Sequence, residues 1–244
     1  DVVSHHAAQV NVRVSIADPS ADGRTNILAT LDLISACKKS GVRRILFASS
    51  GGTVYGEQQV YPCDETHSTH PTSPYGCAKL AVELYLEAFE RDGGPSFAAL
   101  RFANVYGPRQ SAVGEAGVVA VFCRRLAGGE APRIHGDGGQ SRDYVHAADV
   151  AEALAIALAA AASGVWNVST GVETSVNALF DRLAASLAPG LRAPHDPPRA
   201  GDPRRSALSF ARIERELGWR PRTSLAEGLA ATAAWFRAGE GKNP

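Results

Sequence analysis

The sequence predicts an α/β protein built on a doubly wound parallel sheet, and three observations predict that class. Apolar runs at 43–50 and 97–102 are short and nearly continuous, which is typical of strands buried on both faces. Helical periodicity covers 24–39 and 73–90, so one helix precedes the first run and another separates the two. Strand and helix therefore alternate, as they do in a parallel sheet with helices on both faces.

Turn and capping residues delimit these elements. Gly41 follows the first helix in the position that a left-handed C-cap prefers. Ser73-Pro74 opens the second helix, and Gly93-Gly94 lies beyond its end. Farther along the chain, the pattern predicts helices at 117–127, 148–162, 175–188 and 224–238, short strands at 133–135 and 165–168, and a linker or lid at 193–205.

The chain is expected to divide into two parts. Residues 1–110 form what remains of the domain with the parallel sheet, and residues 140–170 return to it. Residues 111–244 form a smaller C-terminal part, whose last helix opens with Ser224 and Glu227 at the spacing of a capping box. This part is expected to lie against the carboxyl edge of the sheet, where open α/β sheets bind their ligands.

Composition excludes several classes of partner. The 244 residues carry 25 Lys+Arg and 25 Asp+Glu with no basic block, so nothing in the charge favours nucleic acid or an anionic membrane. The longest apolar run, 150–162, is too short and too rich in alanine to span a bilayer. The amino terminus shows no secretory signal, and the cysteines at 37, 63, 77 and 123 lack C-x-x-C spacing. We therefore expect a small-molecule partner and a cytoplasmic protein with reduced thiols.

Neither histidine pair predicts a metal site. His5 and His6 are adjacent, so their side chains would face opposite sides of a strand. His67 and His70 have no third ligand nearby and are expected to decorate a loop. We therefore expect no metal.

Tyr75 and Lys79 form the first candidate catalytic pair. They lie four residues apart near the start of a predicted helix, so their side chains project from one face. A free phenol has a pKa of about 10, and a fixed ammonium one turn away lowers it towards the range of a useful base. By itself the Y-x-x-x-K spacing has an ordinary alternative, since both residues are common on helix surfaces.

Small hydroxyl residues end the first predicted strand. In the run SSGGTVYG at 49–56, the hydroxyls would lie at the carboxyl edge of the sheet, where they can hydrogen-bond a reacting oxygen. The plain alternative is a glycine-rich turn whose hydroxyls serve as helix caps.

Four motifs in order resemble those of the extended short-chain dehydrogenase/reductase family. They are SSGGTVYG at 49–56, SPYGCAK at 73–79, LRFANVYGPR at 100–109 and SRDYVHAADVA at 141–151. Their order and spacing are most similar to those of nucleotide-sugar 4-epimerases of the UDP-glucose 4-epimerase type. The resemblance covers Val2 to about Phe236. It implies a Rossmann-like fold in which the first part binds a dinucleotide and the second binds a nucleotide sugar.

The resemblance implies NAD-dependent epimerisation at C4 of a UDP-hexose through a transient 4-keto sugar. Tyr75, assisted by Lys79, would take the proton of the sugar 4-hydroxyl while NAD accepts the C4 hydride and later returns it to the other face. A hydroxyl of Thr53 or Ser50 would complete the site, and Thr53 is favoured. The residues implied to line the dinucleotide are His6, Ala7, Ala8, Gln9, Asn26, Ser49, Ser50, Tyr75, Lys79 and Phe102.

The resemblance also implies a set of substrate-binding residues. A guanidinium can grip a phosphate through two hydrogen bonds, and a carboxylate can accept hydrogen bonds from ribose hydroxyls. Composition alone would place Arg199 and Asp202 in a solvated loop. Ser206 stands where hexose-restricted members carry a bulky aromatic residue, which would leave room for an N-acetyl group. The implied substrate ligands are Thr53, Asn104, Arg133, His135, Arg142, Arg199 and Asp202.

Two departures from the family pattern bear on function. Gly51 stands where the family usually has its catalytic Ser or Thr, three residues before Val54. The family's G-x-x-G-x-x-G turn, whose backbone amides bind the pyrophosphate, occurs nowhere in the chain, and the sequence contains no methionine. We therefore expect an N-terminally truncated enzyme whose first strands are missing, and weak binding of NAD by this chain alone.

Two alternative functions stay open at this point. A nucleotide-sugar 4,6-dehydratase or decarboxylase tends to carry an acidic residue within 51–53, where this chain has Gly-Gly-Thr. A non-catalytic protein that binds a nucleotide sugar or NAD on the same fold would have no need of Tyr75 with Lys79. Family members are commonly dimers through paired helices, here roughly 24–39 and 73–91, so a homodimer is expected.

Overall fold

The structure is a computed structural model that describes residues 1–113, 117–198 and 203–239. Its strands are β1 (Val2–His5), β2 (Arg44–Ser50), β3 (Ser96–Phe102), β4 (Asn104–Tyr106), β5 (Ile134–His135), β6 (Ser141–His146), β7 (Gly164–Val168), β8 (Glu173–Ser175) and β9 (His195–Asp196). Its helices are α1 (Val12–Ala17), α2 (Pro19–Gly23), α3 (Ala29–Lys39), α4 (Gly51–Val54), α5 (Pro74–Arg91), α6 (Val118–Ala127), α7 (Ala147–Ala159), α8 (Val176–Leu187), α9 (Ala211–Leu217) and α10 (Leu225–Arg237), and a π-helical turn (Arg24–Leu28) leads into α3.

The main sheet has the strand order β1-β2-β3-β7, and every neighbouring pair is parallel. Successive side chains of β2 point to opposite faces of this sheet. Ile45 and Phe47 pack under α3 and α5, whereas Leu46 packs under α7 with Trp166 of β7. Helices therefore cover both faces, and the predicted α/β class with a doubly wound parallel sheet is confirmed.

A second core lies among helices α6, α8 and α10. Phe122 of α6 meets Phe180 of α8 edge to face, and Phe236 of α10 belongs to the same buried cluster. Two small sheets flank this core: β4 and β8 pair with opposite edges of β6, and β5 pairs with β9. Among the described residues, no helix combines the length and apolar character that crossing a membrane requires.

The connection after β1 contains two short helices that the sequence patterns do not predict. Asn11 caps α1 by accepting hydrogen bonds from two backbone amides, and Asp18 caps α2, which begins at Pro19. These helices are only 6 and 5 residues long, so they show too few turns for apolar periodicity to reveal them. The helix predicted at 24–39 is also divided, because its first turn is π-helical.

Later elements follow the prediction unevenly. The capping box of Ser224 and Glu227 is present, and α10 follows it as predicted. The helix predicted at 148–162 ends at Ala159. Strands β4, β6 and β8 and helix α9 were not predicted, since they are short or mix polar with apolar residues. The run 193–205 contributes β9, and its residues 199–202 lie outside the described part of the chain.

Candidate active site

Helix α5 brings Tyr75 and Lys79 together beside the carboxyl end of β2. The helix begins at Pro74 because the Ser73 hydroxyl accepts a hydrogen bond from the amide of Gly76 (3.2 Å). Tyr75 is 8% exposed and Lys79 is 4% exposed. The Lys79 Nζ atom lies 5.7 Å from the centre of the Tyr75 ring. The predicted pair is therefore buried, close together and on one helix face.

Lys79 is surrounded by an aromatic ring and a few polar groups. Its Nζ donates a hydrogen bond to the carbonyl oxygen of Ala48 (2.9 Å) and lies 4.7 Å from the centre of the Phe47 ring. Burial lowers the pKa of Lys79 to about 8, and the carboxylates of Asp22 and Glu83 oppose that shift. Lys79 is therefore mostly an ammonium at neutral pH and loses that charge as the pH rises through about 8.

The two histidines at the end of β1 lie near this ammonium. His5 Nε2 is 3.0 Å from Thr30 Oγ1, and His6 Nε2 is 2.8 Å from Ser4 Oγ. Burial and the Lys79 charge lower the pKa of both imidazoles, so the neutral form predominates at pH 7. Within the described ranges, no group of three or more His, Cys, Asp or Glu residues could hold a metal ion.

A reciprocal set of hydrogen bonds fixes the backbone after β1. The Gln9 amide nitrogen donates to Asn26 Oδ1 (2.9 Å), and Asn26 Nδ2 donates to the Gln9 carbonyl (2.8 Å). Asp22 Oδ1 accepts from both side-chain amides, at 2.8 Å from Gln9 and 2.9 Å from Asn26. In the same segment Ala7 is exposed and Ala8 is half-buried. Sequence reasoning missed Asp22, although its spacing of four from Asn26 on a helix was a usable signal.

The glycine-rich turn after β2 packs onto the start of α5. A Cβ atom placed on Gly76 would lie 2.8 Å from the Thr53 carbonyl oxygen, so Thr53 adjoins the first turn that carries Tyr75. The Thr53 hydroxyl makes only a long contact with the Ser50 carbonyl, at 3.4 Å. By contrast, the Ser49 hydroxyl is buried and donates to Glu83.

Gly51 has a packing reason to lack a side chain. A Cβ atom at this position would lie 2.2 Å from a methyl carbon of Leu208, whose side chain is fully buried. A serine or threonine here would require Leu208 to move. The hydroxyl that the family usually carries at this position is therefore replaced by an apolar contact with the C-terminal part of the chain.

The predicted substrate ligands fall into separate groups. Asn104 and Arg142 lie on the adjacent strands β4 and β6, and the Arg142 guanidinium donates to the Ser141 carbonyl (2.8 Å). His135 lies on β5, and Arg133, the residue before that strand, donates from Nε to Asp196 of β9 (2.6 Å). Phe102 ends β3 opposite Ser50. Arg199 and Asp202 lie outside the described residues.

Comparisons with known proteins agree with this geometry. The NAD dependent epimerase/dehydratase family matches residues 1–169. A UDP-glucose 4-epimerase of Mycolicibacterium smegmatis is 42% identical over 97% of this chain and 76% of its own length. The crystal structure of UDP-glucose 4-epimerase with UDP-glucose from Thermotoga maritima superposes with a TM-score of 0.96 at 44% identity, covering 98% of this chain and 78% of that one.

Dehydratases are more distant relatives. A dTDP-glucose 4,6-dehydratase of an Actinoplanes species is 33% identical over 98% of this chain and 74% of its own length. The similarity to epimerases is therefore the greater one, and the family predicted from the four motifs is confirmed. A chain with this fold, this buried tyrosine–lysine pair and these relatives belongs to the NAD dependent epimerase/dehydratase family.

Proposed function

We propose that this protein interconverts a UDP-hexose of the UDP-glucose type and its C4 epimer, with NAD as cofactor. The observation that carries the proposal is the buried pair of Tyr75 and Lys79 at the carboxyl edge of the sheet, where α/β folds bind their ligands. The buried pair supports the assignment of a catalytic base. The epimerases to which the chain is similar support the choice of a UDP-hexose as substrate.

Tyr75 is the proposed general base and acid. Its phenolate takes the proton of the sugar 4-hydroxyl as C4 is oxidised, and the phenol returns that proton after the ketone has presented its other face. The Lys79 ammonium favours the phenolate electrostatically, which brings the base into the working pH range. NAD, when bound, supplies the acceptor for the C4 hydride and the donor that returns it.

The residues near β1 fit such a cofactor. Ala7 and Ala8 carry only small side chains, and Gln9 and Asn26 hold the backbone after the strand in one position. The neutral His6 lies close to the Lys79 ammonium. We propose that the full set implied by the motifs lines the dinucleotide: His6, Ala7, Ala8, Gln9, Asn26, Ser49, Ser50, Tyr75, Lys79 and Phe102.

The nucleotide sugar is proposed to lie between the main sheet and the C-terminal part. Arg142 and Asn104, on neighbouring strands, would contact the diphosphate, with Arg199 and Asp202 completing the site. Arg133 and His135 would run beside the uracil. This assignment corresponds to 1–110, with 140–170, as the dinucleotide part and 111–244 as the nucleotide-sugar part.

We also propose that the protein is cytoplasmic, because its four cysteines are free.

Thr53 is expected to supply the catalytic hydroxyl in place of the missing one at Gly51. Thr53→Ala should lower kcat about 10²-fold, since one preorganised hydrogen bond to a developing charge is worth about that much. Thr53→Ser should restore most of the activity, and Ser50→Ala should change kcat only a few-fold. Steady-state kinetics with UDP-glucose tests this; a larger loss in Ser50→Ala than in Thr53→Ala would assign the hydroxyl to Ser50.

Ser206 is expected to admit an N-acetylated sugar. The residue is buried, and its hydroxyl is 3.4 Å from the side-chain nitrogen of Gln58, whose oxygen accepts from the Ala207 amide (3.0 Å). Ser206→Tyr should lower kcat/KM for UDP-N-acetylglucosamine at least tenfold more than for UDP-glucose, because the ring would occupy the same space as the N-acetyl group. Wild-type enzyme that fails to turn over UDP-N-acetylglucosamine, at concentrations where UDP-glucose reacts, would contradict this assignment.

A homodimer is proposed through the face formed by the π-helical turn, α3 and α5. Leu84 is 60% exposed there, together with Leu28 and Tyr85. Large apolar side chains exposed side by side mark association surfaces. Leu84→Asp should convert the dimer into a monomer in sedimentation experiments. Leu158→Asp, an equivalent change at the exposed Leu158 of α7, should leave the dimer intact; dissociation in both variants, or in neither, would refute the assignment.

A further inference from the structure

Glu83 extends the catalytic face of α5 by one more turn. Tyr75, Lys79 and Glu83 are spaced by four residues, so their side chains follow one another along one side of the helix. Glu83 is buried and forms an ion pair with buried Arg101 of β3. The Arg101 Nη2 atom is 2.6 Å from Oε2, and its Nε atom is 3.1 and 3.2 Å from the two carboxylate oxygens.

The same carboxylate reaches the strand that binds Lys79. Glu83 accepts the hydroxyl hydrogen of Ser49, which lies opposite Arg101 in the register of β2 and β3. The preceding residue, Ala48, accepts the hydrogen bond from Lys79. One short stretch of β2 is therefore joined to α5 at two points, once through Glu83 and once through Lys79.

We propose that Glu83, held by its ion pair with Arg101, is a positioning residue for the reaction: it helps to hold the Lys79 ammonium against β2, one turn of α5 from Tyr75. This inference rests on the proposed function, because the role of Lys79 does. The Glu83 carboxylate binds Ser49 and Arg101 and lies one helical turn from Lys79, so its proposed effect on Tyr75 passes through the lysine.

The stability of the fold does not by itself explain why Glu83 and Arg101 form a buried ion pair. A buried ion pair loses its hydration, and replacing such a pair with well-packed apolar residues is often neutral or stabilising. A carboxylate one helical turn from Lys79 stabilises the ammonium, which an apolar residue would not do. Burial already brings the pKa of Lys79 down to about 8, so a further fall of about one unit would leave half of the lysines neutral at pH 7.

The other groups around Lys79 come from several elements. The carboxylates of Asp22 on α2 and of Glu83 favour the ammonium, and the mostly neutral imidazoles of His5, at the end of β1, and His6, just after it, also face it. Tyr75 lies on its own helix, the Phe47 ring lies on β2, and Arg101 lies beyond Glu83. Glu83 is thus one of two carboxylates that offset the burial of this lysine, and the only one of the two on its helix.

The chain allows a direct measurement, since it contains just four lysines: Lys38, Lys39, Lys79 and Lys242. With ¹³C-labelled lysine, each Nζ titrates as a separate ¹³Cε signal in NMR spectra, and Lys79→Arg identifies the signal of Lys79. We expect Glu83→Gln to lower the titration midpoint of Lys79 by about one pH unit. Glu87→Gln, which removes a half-exposed carboxylate on the same helix, should leave the Lys79 midpoint unchanged.

A second variant guards against loss of the fold, since Glu83→Gln leaves Arg101 buried and unpaired. The double variant Glu83→Gln/Arg101→Gln has no unpaired charge, and we expect a smaller lowering in the same direction. The alkaline limb of the kcat profile with UDP-glucose should shift to lower pH together with the NMR midpoint. An unchanged Lys79 midpoint in folded Glu83 variants would overturn the inference. A shifted midpoint in an enzyme without epimerase activity would overturn the proposed function instead.

Discussion

Tyr75→Phe is expected to lower kcat for UDP-glucose epimerisation about 10²–10⁴-fold, the range that a positioned general acid or base contributes. The change removes one hydroxyl and leaves the ring that packs near Lys79. Binding of the nucleotide sugar should change far less than kcat, because the hydroxyl acts on the proton that moves in the transition state. Steady-state kinetics of the variant with UDP-galactose and UDP-glucose as substrates measure the effect.

Tyr85→Phe is the matched control for this variant. Tyr85 lies on the same helix but is exposed, so loss of its hydroxyl should leave kcat unchanged. If Tyr75→Phe kept wild-type turnover, the assignment of Tyr75 as the base would be wrong, and Lys79 would have no phenolate to stabilise.

Asp143→Ala is expected to lower the free energy of unfolding by about 3 kcal/mol. Asp143 is buried on β6. One carboxylate oxygen accepts from the amide and hydroxyl of Thr170 (2.9 and 2.6 Å), and the other accepts from the amides of Gly171 (2.8 Å) and Leu208 (3.4 Å). The alanine variant leaves these buried donors without acceptors, and each costs about 1–3 kcal/mol.

The expected total is smaller than the sum of those costs. Burial raises the pKa of Asp143 although its hydrogen bonds lower it, so the native carboxylate carries a desolvation penalty that the alanine removes. Urea unfolding followed by circular dichroism measures the change. Asp137→Ala provides the control, since Asp137 is 65% exposed and pairs with an exposed Arg204. Equal loss of stability in the two variants would contradict the role given to Asp143.

Sequence patterns predicted the parts of the fold that a local signal specifies. Strand β2 is buried on both faces, so its sequence is a nearly continuous apolar run. The start of α10 is marked in the sequence by the capping box. The spacing of Tyr75 and Lys79 placed them on one face because the helical repeat requires it. Strand β6 has no such signal, since its residues alternate between charged, aromatic and apolar types.

The rest of the site depends on contacts between distant segments. The Glu83–Arg101 pair joins residues 18 apart in the chain, and only the packing of α5 onto β3 brings them together. The full role of Asp22 depends on Gln9, which lies 13 residues earlier and donates to the same carboxylate oxygen as Asn26. From the sequence alone, Gly51 is only a departure from the family pattern. The structure explains it, because the distant residue Leu208 occupies the space that a side chain at position 51 would need.

The fate of the hydrogen on C4 tests the central claim most directly. UDP-glucose carrying deuterium at C4 is incubated with the enzyme and NAD, and the product is analysed by mass spectrometry and NMR. The account predicts UDP-galactose of unchanged mass that retains deuterium at C4, because the hydride returns to the carbon from which it came. A product that has lost water, or an epimer with solvent hydrogen at C4, would contradict it.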